Sequence, residues 1–467
     1  MSTTIPLAAI RILRPMQGRR PLSSYNLAAE ATGGDSGDIG QGPTDPITLS
    51  NEFDRGEAVQ DLKNQLEKAG FTDIDVVPVS IHTIVEVAEE LEKEMKRKQG
   101  LGQDLVVFQL CDGTELDGYP GVSMIYELEN RQIAFTGSDS AFYIISSSKP
   151  ILKRELQAAH VPTSAFQEFV EVPRMNELDN IINEIGFPMI VKPSISYASI
   201  NISMNSVVHT PEQLLEQINL SLTASKTGGK LGDQIELVLE QDQKPLQMQQ
   251  QVKMSEKIAQ KDKTTEFDIE TPTVFVEKFL AGLEFTVLVV GDKDWGIRVF
   301  PVAERAFDPK LGKFERLLAF DQYWDGYDLE GGGGNEDFCK YQMADDAWQK
   351  QLQQVAKEAY LALDGNGYGR VDIRTVEMDK CEPVVLEVNA NCGLSFEKDS
   401  SSLANILLMS NVSPPGFVRD LVEHALHRNK RLNGMTHTHL QDQWLSNAVY
   451  RCDADNEHGR VEVLVRS

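Results

Sequence analysis

Apolar positions along the chain recur with two alternating periods, and together they outline most of a fold. The stretch 8–13 is apolar apart from Arg11 and reads as a first core strand, followed by a Gly/Ser/Pro-rich loop to about residue 50. After Asp54, the residues Ala58, Val59, Leu62 and Leu66 fall at helical spacing and Gly70 closes the run, so the spacing predicts a capped amphipathic helix over 54–69. A strand at 74–79, a helix at 83–98 and a strand at 104–110 follow. Strands alternating with helices predict a parallel sheet covered on both faces. Ser148 and Pro150 stand where an N-cap and first turn would open a helix to about Ala159. A helix over 175–184 then leads through Gly186 into the strand 189–193.

Residues 221–272 break this rhythm with a Gln-rich run at 243–251 and a Lys-rich run at 253–263, which predicts an insertion that buries little. Beyond it, 273–279, 284–290 and 296–301 read as antiparallel strands. A helix over 345–363 precedes two further strands, 369–375 and 384–388. The last forty residues mix a short helical pattern with a final strand at 460–465, and no chemistry attaches to them.

Composition narrows the function classes. Of 467 residues, 71 are Asp or Glu and 45 are Lys or Arg, a formal charge of −26. Such a field repels nucleic-acid backbones and anionic membrane surfaces, so an anionic ligand needs a local reversal of sign. Five dispersed cysteines without a Cys-x-x-Cys pair indicate a reducing compartment, with neither a disulfide framework nor a zinc site. No apolar run approaches the ~20 residues of a membrane span. A cytoplasmic location follows, the alternative being an organellar one: Arg11, Arg14, Arg19 and Arg20 precede the first acid, Glu30, as in a transit peptide.

Three constellations carry chemistry. In the strands Arg370-Val-Asp372-Ile-Arg374 and Leu386-Glu387-Val-Asn389, a period of two puts Arg370 with Asp372 on one face and Glu387 with Asn389 on one face. Joined by a turn, the strands bring Asp372 and Glu387 nearly opposite each other. Oxygen donors so placed suit Mg²⁺. The competing reading is a polar outer face balanced by Arg370 and Arg374. Two acids that close repel, so replacing either should cost little stability. The second constellation is Glu277-Lys278-Phe-Leu280-Ala-Gly282-Leu-Glu284, where a strand that stops at Leu-Ala-Gly leaves free backbone groups beside an apolar slot fit for a purine and ribose. Its competing reading is an exposed pair on an edge strand. The third is Lys149 before a helix start and Lys192 at the end of an apolar strand, each placed to reach phosphate or else merely solvated.

Taken in order, these segments resemble the ATP-grasp ligases, most closely the D-alanine–D-alanine ligase family. The resemblance runs through 106–113, Phe135-Thr-Gly-Ser-Asp139, Lys149-Pro-Ile-Leu-Lys153, 190–193, 276–286, Gly369-Arg-Val-Asp372 and Leu386-Glu-Val-Asn-Ala-Asn-Cys-Gly-Leu394. It implies an α/β Rossmann-like N-terminal domain followed by an α+β ATP-grasp fold of two subdomains. The expected division is 1–147 with a loop at about 14–50, 148–272 with a polar insertion at about 221–272, 273–430 carrying the metal site, and an extension at 431–467. It also implies ATP and Mg²⁺ as cofactors, with two ions and Mn²⁺ as an alternative, small amino-acid-like substrates, and a homodimer as one open assembly. By position, Lys149 and Lys192 resemble the phosphate lysines; Glu277, Lys278 and Leu280 the adenine contacts; and Glu284 the ribose ligand. Asp372, Glu387 and Asn389 resemble the metal ligands, while Arg370 and Ser199 resemble catalytic groups. The activity implied is ligation of a carboxylate to an amine through an acyl phosphate; the alternative is a non-catalytic ATP-binding module acting through a protein partner.

Departures from the family pattern concern the substrate loops. Ser196-Tyr-Ala-Ser199-Ile-Asn201 stands where the family carries a Gly/Ser loop over the phosphates, the lid segment at 321–326 lacks the family lysine, and no Ser-x-Glu motif lies near 50–54. ATP and metal residues are therefore retained better than those for amino-acid substrates.

Overall fold

The apolar run near the start of the chain forms the middle strand of a parallel arrangement. In the computed structural model, which describes residues 8–16, 56–113, 119–194, 202–227, 274–318, 338–396 and 401–432, strand β1 (Ala9–Pro15) lies between β2 (Ile74–Val79) and β3 (Leu105–Gln109). It runs parallel to both. Ile10, Ile12 and Leu13 are buried, and Arg11 is buried with them. A guanidinium out of water needs partners. Arg11 Nε donates to Glu94 at 2.9 Å and Nη1 to Asp73 at 3.0 Å. Arg11 thus belongs to a central strand of the fold, as the core-strand reading of 8–13 expects, while Arg19 and Arg20 lie outside the described residues. Helices α1 (Gly56–Lys68), α2 (Ile84–Gln99) and α3 (Val122–Asn130) accompany these strands, with Val59, Leu62 and Leu66 of α1 buried as their spacing predicts.

The chain divides into two compact units, Met1–Ile133 and Ala134–Ser467. The division falls ahead of the expected boundary at 147 because the segment after it is tied to the C-terminal part. Strand β4 (Ala134–Phe135) and helix α4 (Ser140–Ser147) flank the Gly137-Ser138-Asp139 turn. Arg428 donates to the carbonyls of Phe135 at 2.8 Å and Gly137 at 2.6 Å and to Asn366 at 2.9 Å. The Ser138 N–H donates to Asn391 and the Asp139 N–H to Asn366, each at 2.7 Å.

In the second unit, α5 (Lys149–Ala158) starts where Ser148 and Pro150 predict, although the Ser148 side chain makes no capping bond. Strand β5 (Phe166–Phe169), helix α6 (Leu178–Ile185), strands β6 (Met189–Pro193) and β7 (Val207–Val208), helix α7 (Pro211–Thr227) and strand β8 (Val274–Lys278) form one layered body. The strand order is β5-β8-β6-β7, antiparallel throughout. Leu214, Ile218 and Leu222 of α7 pack with Leu178, Met189 and Val276. The expected insertion at 221 thus starts too early: Leu222 continues a four-residue stripe that surrounding polar residues conceal. The run from 228 to 273 lies outside the described residues. The sequence reading also starts the C-terminal subdomain at 273, whereas β8 pairs with β5 and β6 and is the inner strand between them.

The second sheet comprises β9 (Glu284–Asp292), β10 (Gly296–Val299), β11 (Ala303–Phe307), β12 (Cys339–Met343), β13 (Tyr368–Thr375) and β14 (Pro383–Ala390). Its order is β12-β11-β9-β13-β14, with β10 also paired to β9. Helix α8 (Asp346–Ala362), capped by Asp345 onto the Ala347 N–H at 2.8 Å, packs on β9, β13 and β14. Val287, Val371, Ile373, Val385 and Val388 are buried, each contributing about 1.5–3 kcal/mol. Helices α9 (Ser402–Met409) and α10 (Pro414–Leu432) follow. The expected strand at 460–465 lies outside the described residues. Among the described residues no helix is long and apolar enough to cross a membrane.

Arg428 is expected to hold β4 and its turn. Arg428→Met should lower unfolding stability in urea by about 3 kcal/mol, since three buried acceptors lose a charged donor. A loss under about 1 kcal/mol would show that these ties are dispensable.

Candidate functional site

Strand register builds a charged face on the second sheet. β13 pairs Arg374, Asp372 and Arg370 with Glu284, Thr286 and Leu288 of β9. On its other side it pairs Asp372 with Glu387 and Arg370 with Asn389 of β14. The expected opposition of Asp372 and Glu387 is therefore met, but through a device that counting from the turn does not reveal. Thr375 pairs with Pro383 and Ile373 with Val385, and the register then shifts by one so that Asp372 meets Glu387 rather than Leu386. Such a bulge re-aims side chains beside functional sites.

Asp372 is buried, and Arg370 grips it with Nε at 3.0 Å and Nη2 at 2.9 Å, while Asn389 Nδ2 donates at 3.1 Å. Burial alone would raise the Asp372 carboxyl, but Arg370 and Arg305 outweigh it and hold the group below its usual range. Arg370 also reaches Ser402 Oγ at 3.4 Å. Glu284 pairs with Arg305, and with Arg374 at 3.2 Å. Arg374 lies 5.3 Å above the Phe279 ring and 5.9 Å from that of Phe307. Among the described residues no group of three or more His, Cys, Asp or Glu could hold a metal. The set Asp372, Glu387 and Asn389 offers two carboxylates and an amide. That donor chemistry suits Mg²⁺, which takes few protein ligands and completes its shell with water and phosphate.

The first sheet contributes a lysine–carboxylate network. Glu277 is 1% exposed, which excludes the exposed edge-strand reading. Its Oε1 accepts Lys192 at 2.8 Å; its Oε2 accepts Lys153 at 2.7 Å and the Ser164 hydroxyl. Burial would raise this carboxyl, but Lys153 and Lys192 hold it well below the carboxylate range. The two lysines respond oppositely. Burial pushes the 1%-exposed Lys153 down, whereas Lys192, opposed by burial but 15% exposed, is drawn up by Glu277 and Glu387. Burial also lowers Lys149, against the pull of Glu387. Neither Lys149 nor Lys192 is the solvated lysine of the competing reading.

Other expected positions fare differently. Lys278 Nζ donates to the carbonyls of Gly186 at 3.1 Å and Phe187 at 2.7 Å, so its ammonium fastens the turn before β6. Leu280 is buried. The backbone after Leu-Ala-Gly is less free than the sequence suggests. Leu283 donates to Thr375 Oγ1 at 2.9 Å, and the Thr375 N–H returns to the Leu283 carbonyl at 2.9 Å. Gly282 permits this approach, for a Cβ there would meet the Thr375 carbonyl oxygen at 2.2 Å. Ser199 and the lid at 321–326 lie outside the described residues.

Residues 250–423 match the family model of the D-ala D-ala ligase C-terminus. A D-alanine–D-alanine ligase of Desulfotalea psychrophila is 25% identical over 256 residues, 55% of this chain and 59% of that protein. One of Methylocella silvestris is 30% identical over 155 residues, 32% of this chain and 44% of that protein. The crystal structure of the Bacillus anthracis D-alanine–D-alanine ligase complexed with ATP superposes with a TM-score of 0.51 at 15% identity, over 91% of this chain and 99% of that one. The chain is thus similar in sequence to D-alanine–D-alanine ligases, and the superposition shows that it shares their ATP-grasp fold. Its sequence match spans less than two thirds of the curated relatives' length.

In this ligase-like chain, sequence reading passes over Lys153, Ser164 and Arg305, and gives Arg374 only a balancing role. Lys153 follows Lys149 by one helical turn and could have been found by that i,i+4 spacing. Arg374 shares the Asp372 face by period two. Arg305 carries no local signal, because only the β11–β9 pairing sets it against Glu284.

The expectation that replacing either facing acid is cheap needs correction for Asp372, a buried carboxylate paired with the half-buried Arg370. Asp372→Asn should cost about 2–4 kcal/mol in urea at pH 7, whereas Glu387→Gln, half-buried, should cost about 1 kcal/mol or less. The folded Asp372 carboxyl is depressed, so its contribution is present above the ordinary value near 4 and is lost as pH falls through the folded value. The gap between the two variants should therefore narrow toward pH 3; equal stability of both at pH 7 would contradict the pairing.

Proposed function

We propose that the chain is an ATP-dependent ligase that joins a carboxylate to an amine through an acyl phosphate. The observation carrying this reading is one electrostatic cluster in an acidic protein. Lys149, Lys153, Lys192, Arg305, Arg370 and Arg374 outnumber Glu277, Glu284, Asp372 and Glu387, and they interact across both sheets of the second unit. A local cationic excess is what a polyphosphate needs where the whole-chain charge is −26. The Nε–H groups of Arg305 and Arg374 are buried without a hydrogen-bond acceptor among the described residues, which adds donors for an anion.

In this reading, Lys149 and Lys192 hold the ATP phosphates, Leu280 packs against the base, and Glu277, Lys278 and Glu284 shape the adenosine pocket. Asp372, Glu387 and Asn389 would hold Mg²⁺, which supplies charge neutralisation for the transferring phosphoryl group. Arg370 faces the carboxyl carbon at which an oxyanion develops when the amine attacks. By its place in the sequence, Ser199 resembles the hydroxyl of the family's loop over the phosphates. The parallel strands of the first unit, connected through helices, support a Rossmann-like N-terminal domain. The substrates are small amino acids or similar carboxylates, and the altered substrate loops argue that a pair of D-alanines is not the preferred one.

Phosphate release from ATP should require both Mg²⁺ and an amino-acid substrate, and chelation by EDTA should abolish it. Across a panel of L- and D-amino acids, the highest kcat/KM should fall on a pair other than D-alanine with D-alanine. ATP binding without phosphate release under any substrate would instead indicate a nucleotide-binding module. D-alanyl-D-alanine as best product by a wide margin would make the loop departures neutral.

A further inference from the structure

The resemblance block that contains Lys149 ends on a second lysine whose role the reading above leaves open. Lys153 Nζ makes three contacts: Glu277 at 2.7 Å, Ser164 Oγ at 2.9 Å and the Val385 carbonyl at 3.2 Å. An ammonium has three N–H donors, so Lys153 has none left for a ligand. Lys192, by contrast, meets Glu277 at 2.8 Å from a more exposed position at the end of β6. Glu277 thus carries one negative charge between two positive ones. With Lys153 in place, the trio retains a net positive charge; without it, Lys192 becomes the sole counter-ion of a buried carboxylate.

The Val385 contact reaches the other sheet. The Val385 carbonyl also accepts Thr163 Oγ1 at 3.1 Å, and its N–H donates to the Pro162 carbonyl at 2.8 Å. Val385 is the residue at which the β13–β14 register shifts, two positions before Glu387. One ammonium therefore touches the carboxylate beside Lys192 and the bulge that aims Glu387.

We propose that Lys153 is a positioning residue: it neutralises Glu277 so that the charge of Lys192 remains available to nucleotide phosphates, and it docks the bulge of β14 onto that network. The proposal rests on the ligase reading in taking Lys192 as a phosphate ligand. Lys153 itself touches no phosphate.

The test is calorimetric binding of MgATP to the full-length chain and its variants. Binding by the wild-type chain tests the ligase reading alone; comparison among variants tests Lys153. Lys153→Met should weaken ATP binding about tenfold or more, because Lys192 is drawn onto Glu277, and Lys153→Arg, which keeps the charge, should lose less. Adding Glu277→Gln to Lys153→Met should restore affinity to within about threefold of Glu277→Gln alone, since a neutral partner leaves Lys153 nothing to neutralise. A purely structural lysine predicts the opposite, a double variant weaker than either single one. The proposal is overturned if Lys153→Met stays within about threefold of wild type, or if the double variant loses about tenfold relative to Glu277→Gln. Should Lys153→Met fail to fold, that last comparison decides by itself, since the double variant removes the fully buried ammonium together with the carboxylate it pairs with.

Discussion

Taking a charged group out of water costs several kilocalories unless opposite charges share its burial, and the second unit meets this constraint on two sheets at once. Glu277 is enclosed by Lys153 and Lys192, Glu284 by Arg305 and Arg374, and Asp372 by Arg370. Each acid holds at least one cation in a fixed place. Where two cations share one acid, the surplus charge remains, and that surplus is what an anionic ligand can use. The acids of the site thus serve as counter-ions that position lysines and arginines, alongside whatever contacts they make with nucleotide or metal.

The strands exist to deliver this pattern. On β13 a period of two sends Arg370, Asp372 and Arg374 to one face, while Val371 and Ile373 go into the core beneath α8. On β14 the bulge moves Glu387 into register with Asp372. The β8 strand is central to its own sheet, so Glu277 is buried between strands rather than fringed by water. Arg428 and Asn391 fasten the Gly137–Asp139 turn to the same body as the second sheet, which keeps the start of α4 fixed relative to the charged strands.

Much of this was legible in the sequence, and the remainder was hidden for physical reasons. Alternation exposed the Asp372 and Glu387 faces, and helical spacing exposed α1, α2 and α8, because both signals are local. The identity of the partners was not local. Glu277 takes its cations from α5 and β6, and Glu284 takes Arg305 from β11, contacts fixed by pairing between distant segments. A one-residue bulge leaves no mark in an alternating pattern, so the facing pair was expected for a reason that was only nearly right. Leu222 was lost to the insertion because a single apolar residue among polar ones weighs little until its helix is seen to continue.

The proposed activity has a carboxylate activated by phosphorylation within this charged face. The most direct measurement uses the amino acid that best stimulates turnover, labelled with ¹⁸O in its carboxyl group, followed by mass analysis of the phosphate released from unlabelled ATP. Transfer through an acyl phosphate places one labelled oxygen in each phosphate formed. Phosphate carrying no label, at normal rates of product formation, would contradict the account.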